Sequence, residues 1–208
     1  MRTKIVVSIA AATVSAFIVV GCSDNSTDSS TDGRSMGSMM SAPNSSMPTS
    51  ASVQFNDADV MFAQMMYPHH AQAVEMADMA EGRTDNPDVS TLASAIAAAQ
   101  QPEMDQMTSW LADWGLPAPD ADMGSMGGMD HNSGSGMMTE QDMETLTALS
   151  GSEFDRQWLS MMIAHHTGAI EMANTEIADG SNPDAQEMAR TIVATQQREI
   201  DTMQRLLG

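Results

Sequence analysis

The sequence is poor in the residues that commonly cross-link a small protein or give it positive charge. Its single cysteine rules out an internal disulfide and any site built from several thiolates. Lys and Arg together number 8 against 28 Asp and Glu, which gives a formal net charge of -20. Because a nucleic-acid partner needs a basic surface, this balance argues against one, and the simplest role of the charge is solubility.

Motifs for catalysis are also missing from the sequence. It has no phosphate-binding loop, no dinucleotide fingerprint and no nucleophile with a base at motif spacing. The Glu-x-x-His pair of di-iron bundles does not occur, since the residue three positions after Glu75 is Asp78 and the residue three positions after Glu171 is Asn174. We therefore expect a binding protein and no enzyme.

Methionine is the residue that the sequence has in excess, with 23 copies against 3 Trp, 1 Tyr and 4 Phe. Ordinary cores use this flexible side chain sparingly. Its thioether sulfur is a soft ligand suited to Cu(I), and outside the cytoplasm it cannot be lost to a disulfide as a cysteine can. This composition indicates a soft-metal function.

The N-terminus predicts export and a lipid anchor. Two basic residues followed by an apolar run over 5–20 are typical of a signal peptide, which we place at 1–21. The run ends in a small residue and Cys22, a pattern similar to the bacterial lipobox, whose cysteine receives a diacylglycerol. Residues 22–52 are rich in Ser, Thr, Asp and Pro and predict a disordered tether. We therefore expect a membrane contact through lipid on Cys22, at the outer face of the cell membrane.

The remainder, 53–208, contains an internal repeat. Residues 59–112 align with 155–208 without a gap, and more than a third of the aligned positions are identical. Both copies carry Met-Met-x-x-His-His-x-x-Ala-x-Glu-Met-Ala and later Asn-Pro-Asp, which favours duplication of one hairpin. The predicted parts are hairpin 1 at about 56–115, a linker over 116–138, a short helix over 139–149 and hairpin 2 at about 152–208.

Periodicity and capping signals predict the fold. In each copy apolar residues recur every three or four positions, which indicates helices, and Asn-Pro supplies an N-cap and a first-turn proline to each second helix. The other expected boundaries are the helix stops Gly82 and Gly180 and the N-cap and N3 pairs Asn56 with Asp59 and Ser152 with Asp155. Four antiparallel amphipathic helices can bury one core. We therefore predict an all-α, ferritin-like four-helix bundle built from two duplicated hairpins with a long crossover.

The repeated His-His pair is the candidate binding site. At 100° per residue, His69 and His165 fall on the apolar faces of their helices, with His70 and His166 on the flanks. A methionine precedes each histidine by four positions, and side chains on neighbouring turns can bind one ion. We expect both hairpins to contribute to a site for Cu(I) or Ag(I). Its candidate ligands are His69, His70, His165, His166, Met65, Met66, Met161, Met162, Met76 and Met172.

The second helix of each copy places polar residues on its own apolar face. These are Gln100 and Glu103 in the first copy and Gln196 and Glu199 in the second. Because unpaired buried polar groups are destabilising, we expect them to meet the histidines. Beside a metal they would orient the imidazoles. Without one they would form a hydrogen-bonded His–Glu layer that fixes helix register.

The linker offers a second set of soft donors. Met123, Met126, Met129 and His131 are closely spaced in a Gly- and Ser-rich stretch. Flexible methionine-rich loops can collect Cu(I), and the alternative is compositional drift in a low-complexity linker. We name these four residues as an accessory metal site.

The repeated Met-Met-x-x-His-His-x-x-Ala-x-x-Met-Ala, followed by Gln-x-x-Glu-x-x-x-Met, resembles bacterial domain-of-unknown-function family 305 over about 56–208. The resemblance implies a ferritin-like helical bundle, often exported, with some members that bind copper in the periplasm and take part in copper tolerance. One departure is Pro68, where the second copy has Ala164. We expect this proline to kink the first helix beside His69.

Our interpretation is an extracytoplasmic lipoprotein that binds or sequesters copper, preferably Cu(I), for tolerance or for exchange with a copper donor or acceptor protein. Two alternatives stay open. A hybrid set of His69, His165, Glu103 and Glu199 would suit iron or another harder metal. A methionine-rich groove without a metal would suit a helical interaction module.

Overall fold

The computed structural model describes residues 54–119 and 136–208, most of which lie in five helices. These are α1 Asp57–Asp78, α2 Pro87–Asp113, α3 Glu140–Thr147, α4 Gly151–Asp179 and α5 Pro183–Leu207. The predicted signal peptide, tether, Cys22 and accessory ligands Met123, Met126, Met129 and His131 lie outside these residues. Within the two described ranges, no helix is long and apolar enough to cross a membrane.

Helices α1, α2, α4 and α5 form the predicted four-helix bundle. Helix α1 packs along α2, α4 packs along α5, and the two hairpins meet mainly through α1 and α4. The side-chain amide of Asn56, just before α1, donates to the carbonyl of Asp179 at the end of α4 (2.9 Å). Near the other end of α1, the carbonyl of Met76 accepts from the indole N–H of Trp158 in the first half of α4 (2.7 Å). Helices α1 and α4 are therefore antiparallel, and the all-α prediction is confirmed.

Short capping motifs set the starts of three long helices. Asn56 caps α1 in a capping box with Asp59. Asn86 caps α2 and Asn182 caps α5, each followed by a first-turn proline. These three predictions are confirmed, as is the short helix α3, which lies within the predicted range.

The predicted start of α4 is wrong. The helix begins at Gly151 with Ser150 at the N-cap position and no side-chain cap, so Ser152 and Asp155 are not an N-cap and N3 pair. The cause is a contact with the first hairpin, because the Gly151 amide donates to the carbonyl of Arg83 (2.7 Å). Gly151 has φ +57°, a conformation that favours glycine and turns the chain into the helix at that residue.

The first helix also ends earlier than Gly82 predicted. Helix α1 stops at Asp78, and Gly82 (φ +73°) lies in the turns beyond it. The amide of Ala80 bonds the Ala77 carbonyl, and the Met76 carbonyl that a longer helix would use is taken by Trp158. Gly180 does end α4, as predicted. Pro68 lies inside α1, which continues through it as one helix.

The bundle core consists of two apolar clusters on either side of a polar layer. One cluster is formed by the second half of α1 and the first half of α4, together with the start of α2 and the end of α5. The other uses the opposite halves of the same four helices. Between the two clusters, α1, α2, α4 and α5 each contribute polar residues to the layer. Its buried polar side chains are His69, His70, Gln100, His165, His166 and Gln196.

Candidate metal centre

The layer is centred on two histidines that meet across the hairpins. The ring centroids of His69 and His165 lie 3.7 Å apart with an interplanar angle of 39°, and both side chains are fully buried. Both ring nitrogens of His165 are buried, and its ring makes a hydrogen bond with the backbone of His69. The antiparallel crossing of α1 and α4 thus brings the matching histidines of the two copies together.

Each flanking histidine is paired with a glutamate of its own hairpin. His70 Nε2 lies 2.7 Å from Glu103 Oε2, and His166 Nε2 lies 2.7 Å from Glu199 Oε2. A carboxylate accepts the hydrogen bond, so in a neutral ring Nε2 carries the proton and Nδ1 carries the lone pair. Both Nδ1 atoms are buried and have no hydrogen-bond partner within the described ranges. The glutamates therefore orient both rings with a ligating nitrogen free of the proton.

Two glutamines complete the layer, one from α2 and one from α5. Gln100 and Gln196 are almost fully buried, 2% and 3% exposed. Neither side-chain polar atom of Gln100 has a partner among residues the structure describes, nor does the carbonyl oxygen of Gln196. Buried polar atoms of this kind each cost about 1–3 kcal/mol, so the layer is a place where a polar or charged ligand would be stabilised.

The electrostatics of the layer favour a neutral imidazole at His165. Burial lowers the pKa of His165 well below its usual range, and the nearby imidazoles of His69, His166 and His70 lower it further. At neutral pH the His165 ring is therefore uncharged. A neutral imidazole is the form that binds a metal ion.

The candidate methionines lie on both sides of the histidines. Met66 belongs to one apolar cluster, and Met76, Met161 and Met162 belong to the other, all of them buried. Met65 and Met172 are only half-buried. The two copies therefore expose corresponding methionines differently, although the repeat gave them the same predicted role.

The layer brings buried imidazoles together, while a carboxylate-rich centre is not formed among the described residues. Across 54–119 and 136–208, no group of three or more His, Asp or Glu side chains is arranged to hold a metal ion. Glu103 and Glu199 are bonded to His70 and His166, not to the central pair. The donor set that fits these residues is imidazole nitrogen with thioether sulfur from the adjoining clusters, which suits a soft ion.

Two contacts near the layer had no sequence signal that singled them out. The side chain of Gln72, one turn after His69, donates to the carbonyl of Met138 (2.8 Å) and accepts from its amide (2.7 Å). Gly136 lies so close to the backbone of α4 at Ala164 that a Cβ atom would clash. The end of the linker is thus fixed against α1 and α4 next to the histidines. A difference between the copies, Gln72 against Gly168, was the only clue.

Comparisons with known proteins identify relatives in sequence and fold. A DUF305 fragment from Deinococcus radiodurans is 34% identical, covers 74% of this chain and 97% of its own, and has a TM-score of 0.66. A candidate secreted DUF305 protein from Streptomyces coelicolor is 36% identical, with coverage of 72% and 91% and a TM-score of 0.64. CopM in its Cu(II)-bound form is 30% identical, with coverage of 72% and 95% and a TM-score of 0.61.

CopM also matches in its Cu(I)-bound and Ag-bound forms. The comparison with curated proteins gave no match. A family model described as a domain of unknown function, DUF305, matches residues 59–207. This match spans well over half of the chain, and the chain therefore belongs to the DUF305 family.

Proposed function

We propose that this protein binds copper, with Cu(I) preferred and Ag(I) accepted, at the polar layer between its two hairpins. The observation that carries the proposal is the pair of buried imidazoles whose Nδ1 atoms have no hydrogen-bond partner among the described residues, in His70 and His166. Both rings are held by glutamates at 2.7 Å, which leaves that nitrogen as the lone-pair donor. His69 is in contact with His165. Because no three of the His, Asp and Glu side chains in the described ranges are arranged to hold an ion by themselves, thioethers complete the proposed donor set.

Copper is favoured over iron or another harder metal by the neighbours of the histidines. Both apolar clusters that adjoin the histidine layer contain buried methionines, and Cu(I) and Ag(I) accept thioether and imidazole ligands. A harder metal would need the carboxylates of Glu103 and Glu199, which are engaged with His70 and His166. CopM, a relative in sequence and fold, has been crystallised with Cu(I), Cu(II) and Ag.

The cellular setting of this proposal is the outer face of the membrane. The apolar N-terminal run and Cys22 support export and lipid attachment, and a candidate secreted protein is among the structural relatives. We propose sequestration of copper, or its exchange with a donor or acceptor protein, without catalysis. The charge of -20 would repel an acidic partner, so a copper-exchange partner would carry a basic contact surface.

Anaerobic Cu(I) titration against a chromogenic chelator tests the proposal. The full chain is used with Cys22→Ser, so that its thiol cannot bind the metal. We expect His69→Gln combined with His165→Gln to lower the Cu(I) affinity by roughly a hundredfold or more. Mutation of residues that only support metal ligands typically lowers affinity by about 10- to 100-fold, and loss of two ligands should cost at least as much. Far-UV circular dichroism checks that both proteins are folded.

His131→Gln is the matched control, because it removes an imidazole by the same substitution outside the described bundle. We expect the control to retain the parent affinity. An unchanged affinity in the double variant, with a loss in His131→Gln or after Met123, Met126 and Met129 are changed to Leu, would reject the bundle site and assign binding to the linker.

A further inference from the structure

A surface groove lies between α2 and α5, directly outside the histidine layer. Its volume is about 480 Å³. One wall comes from the second half of α2 and the other from the first half of α5. The lining residues are Pro102, Glu103, Gln106, Trp110, Asp184, Glu187, Met188 and Thr191.

Glu103 connects this groove with the buried histidines. Its side chain is 19% exposed and lines the groove, and its carboxylate lies 2.7 Å from Nε2 of His70, which is fully buried. The other nitrogen of that ring, Nδ1, is buried and has no hydrogen-bond partner among the described residues. Glu103 is therefore in contact both with the groove and with an imidazole that has a lone pair to donate.

The walls of the groove carry groups that attract a soft cation. Glu103, Asp184 and Glu187 are carboxylates, and Met188 adds a half-buried thioether. One positive side chain stands nearby, since Arg190 forms an exposed ion pair with Glu187 (3.3 Å). The groove residues themselves include no Lys or Arg. Carboxylates at the mouth of a cleft raise the local concentration of cations, and a thioether selects soft ones.

The matching face of the other half is built differently. Glu199 occupies the position of Glu103 there and bonds His166, but Arg198 stands in place of Pro102. The Arg198 guanidinium lies along α5, where it donates to the Ala194 carbonyl (3.0 Å). Thr91 and Leu92 replace Glu187 and Met188. Only the Glu103 side therefore combines a thioether with several carboxylates.

We propose that Cu(I) or Ag(I) reaches the histidine layer through this groove, passing Met188 and Glu103 to reach Nδ1 of His70. The inference deepens the proposed function and rests on it. Met188 and the carboxylates bind the ion transiently, and Glu103, which contacts the His70 imidazole, transfers it to the histidine layer. Access is one-sided because Arg198 repels a cation at the matching position.

Stopped-flow uptake of Ag(I) tests the route. The full chain with Cys22→Ser is mixed with silver nitrate in a chloride-free buffer of low ionic strength, and tryptophan fluorescence is followed, since Trp110 lines the groove. The kinetic phase of the fluorescence change that is lost in the His69→Gln, His165→Gln double variant reports Ag(I) uptake by the bundle. The test variant is Glu187→Thr with Met188→Leu, which installs the residues that the other half has at these positions.

We expect this variant to take up Ag(I) roughly three to ten times more slowly, at the low end of electrostatic steering, with its equilibrium affinity unchanged. Raising the ionic strength should narrow the difference. The matched control is Glu81→Thr with Met61→Leu, which removes an exposed carboxylate and an exposed thioether away from the groove. Its uptake rate should equal that of the parent.

Equal rates in the test variant and the parent would overturn the route. A lower affinity with an unchanged rate would also overturn it, because Met188 or Glu187 would then be a ligand of the bound state. Failure of the proposed function is distinguishable from both results. If the proposed function fails, the parent chain itself shows no kinetic phase of Ag(I) uptake that depends on His69 and His165.

Discussion

The antiparallel crossing of α1 and α4 creates two junctions at matching positions of the repeat, yet different forces hold them. The Asp59 junction joins the start of α1 to the end of α4 and the start of α5. The Trp158 junction joins the start of α4 to the end of α1. The first is a network of hydrogen bonds around a carboxylate, and the second is a buried indole bonded to one carbonyl.

At the Asp59 junction one buried carboxylate accepts several donors. The amides of Ser181 and Asn182 donate to Asp59 at 3.1 and 2.8 Å, the Ser181 hydroxyl at 3.0 Å and the Asn56 amide at 2.6 Å. Burial alone would raise the pKa of Asp59, but these hydrogen bonds and one with Glu176 outweigh it and hold the pKa below its usual value. Asp59 is therefore ionised and links both hairpins.

The Trp158 junction is apolar apart from one bond. Trp158 is fully buried and belongs to the same cluster as Phe154 and Met76. Its indole N–H donates to the Met76 carbonyl, which is available because α1 ends early. Asp155, the counterpart of Asp59, has a buried carboxylate oxygen without a hydrogen-bond partner among the described residues. The two halves thus agree at the histidines and differ at both ends, which indicates that the central layer is the part that tolerates least change.

Changing Asp59 to Ala should have the largest effect on stability. Four donors would lose their acceptor, and two of them are backbone amides at the start of α5. We expect a loss of about 3 kcal/mol in the free energy of unfolding, measured by urea denaturation. Asp155→Ala is the matched control and should cost less than about 1 kcal/mol. Equal losses at the two positions would show that the junctions do not differ.

Glu176 makes the Asp59 junction sensitive to pH. Burial, the hydrogen bond with Asp59 and the negative charge of Asp59 together raise the pKa of Glu176 to about 8. The folded protein therefore holds a proton that the unfolded chain loses above its ordinary pKa of 4.5. The contribution of Glu176 to stability is full below that value and is lost as the pH rises towards 8, by at most about 1.4 kcal/mol per pH unit.

Glu176→Gln should remove this slope, because the amide has no proton to lose. The matching residue of the first hairpin is Ala80, so the Trp158 junction has no equivalent group. Urea denaturation of both proteins at several values between pH 5 and 8 gives the comparison. An equal pH dependence of stability in the parent and in Glu176→Gln would contradict the assignment of a shared proton to Glu176 and Asp59. The difference between the two proteins is the test, because the lowered pKa of His165 makes stability rise with pH up to its ordinary value of 6.5 in both.

Trp158→Phe should weaken the other junction by a smaller amount. Phenylalanine is the residue that the first hairpin has at this position, Phe62, and it cannot donate to the Met76 carbonyl. We expect a loss of about 1–2 kcal/mol, from the unpaired carbonyl and the reduced volume. Trp114→Phe serves as control, because the Trp114 indole nitrogen has no hydrogen-bond partner among the residues described. A larger loss in the control would assign the effect to ring volume alone.

The central layer was predictable from sequence because it repeats. The His-His pair and the Gln and Glu on each second helix occur twice, so their helical faces could be matched. The expected contact with the histidines is made by the glutamates, whereas Gln100 has no hydrogen-bond partner among the described residues. The ends were not predictable in the same way. The early stop of α1 and the start of α4 at Gly151 depend on contacts of Trp158 and Arg83 across the hairpins, and local sequence does not encode such contacts.

Burial of the flanking residues was also beyond the helical periodicity. His70 and His166 were placed on the flank, yet both are fully buried, because Glu103 and Glu199 approach them from the neighbouring helix. Met65 and Met161 match in the repeat but differ in exposure. A helical wheel drawn for one helix does not show which of its sides a neighbouring helix covers. Equivalent positions in a repeat can therefore have different surroundings.

The smallest expected effect concerns the two glutamates that orient the flanking histidines. Glu103→Gln and Glu199→Gln should each lower Cu(I) affinity by about tenfold, because an amide fixes the tautomer of His70 or His166 less firmly than a carboxylate does. If one shared ion lies between the hairpins, the two losses should agree within about threefold, whatever the difference in uptake rate. Chelator competition measures both. A loss confined to one variant would show that a single hairpin holds the metal, and that the close approach of His69 and His165 only fixes the bundle.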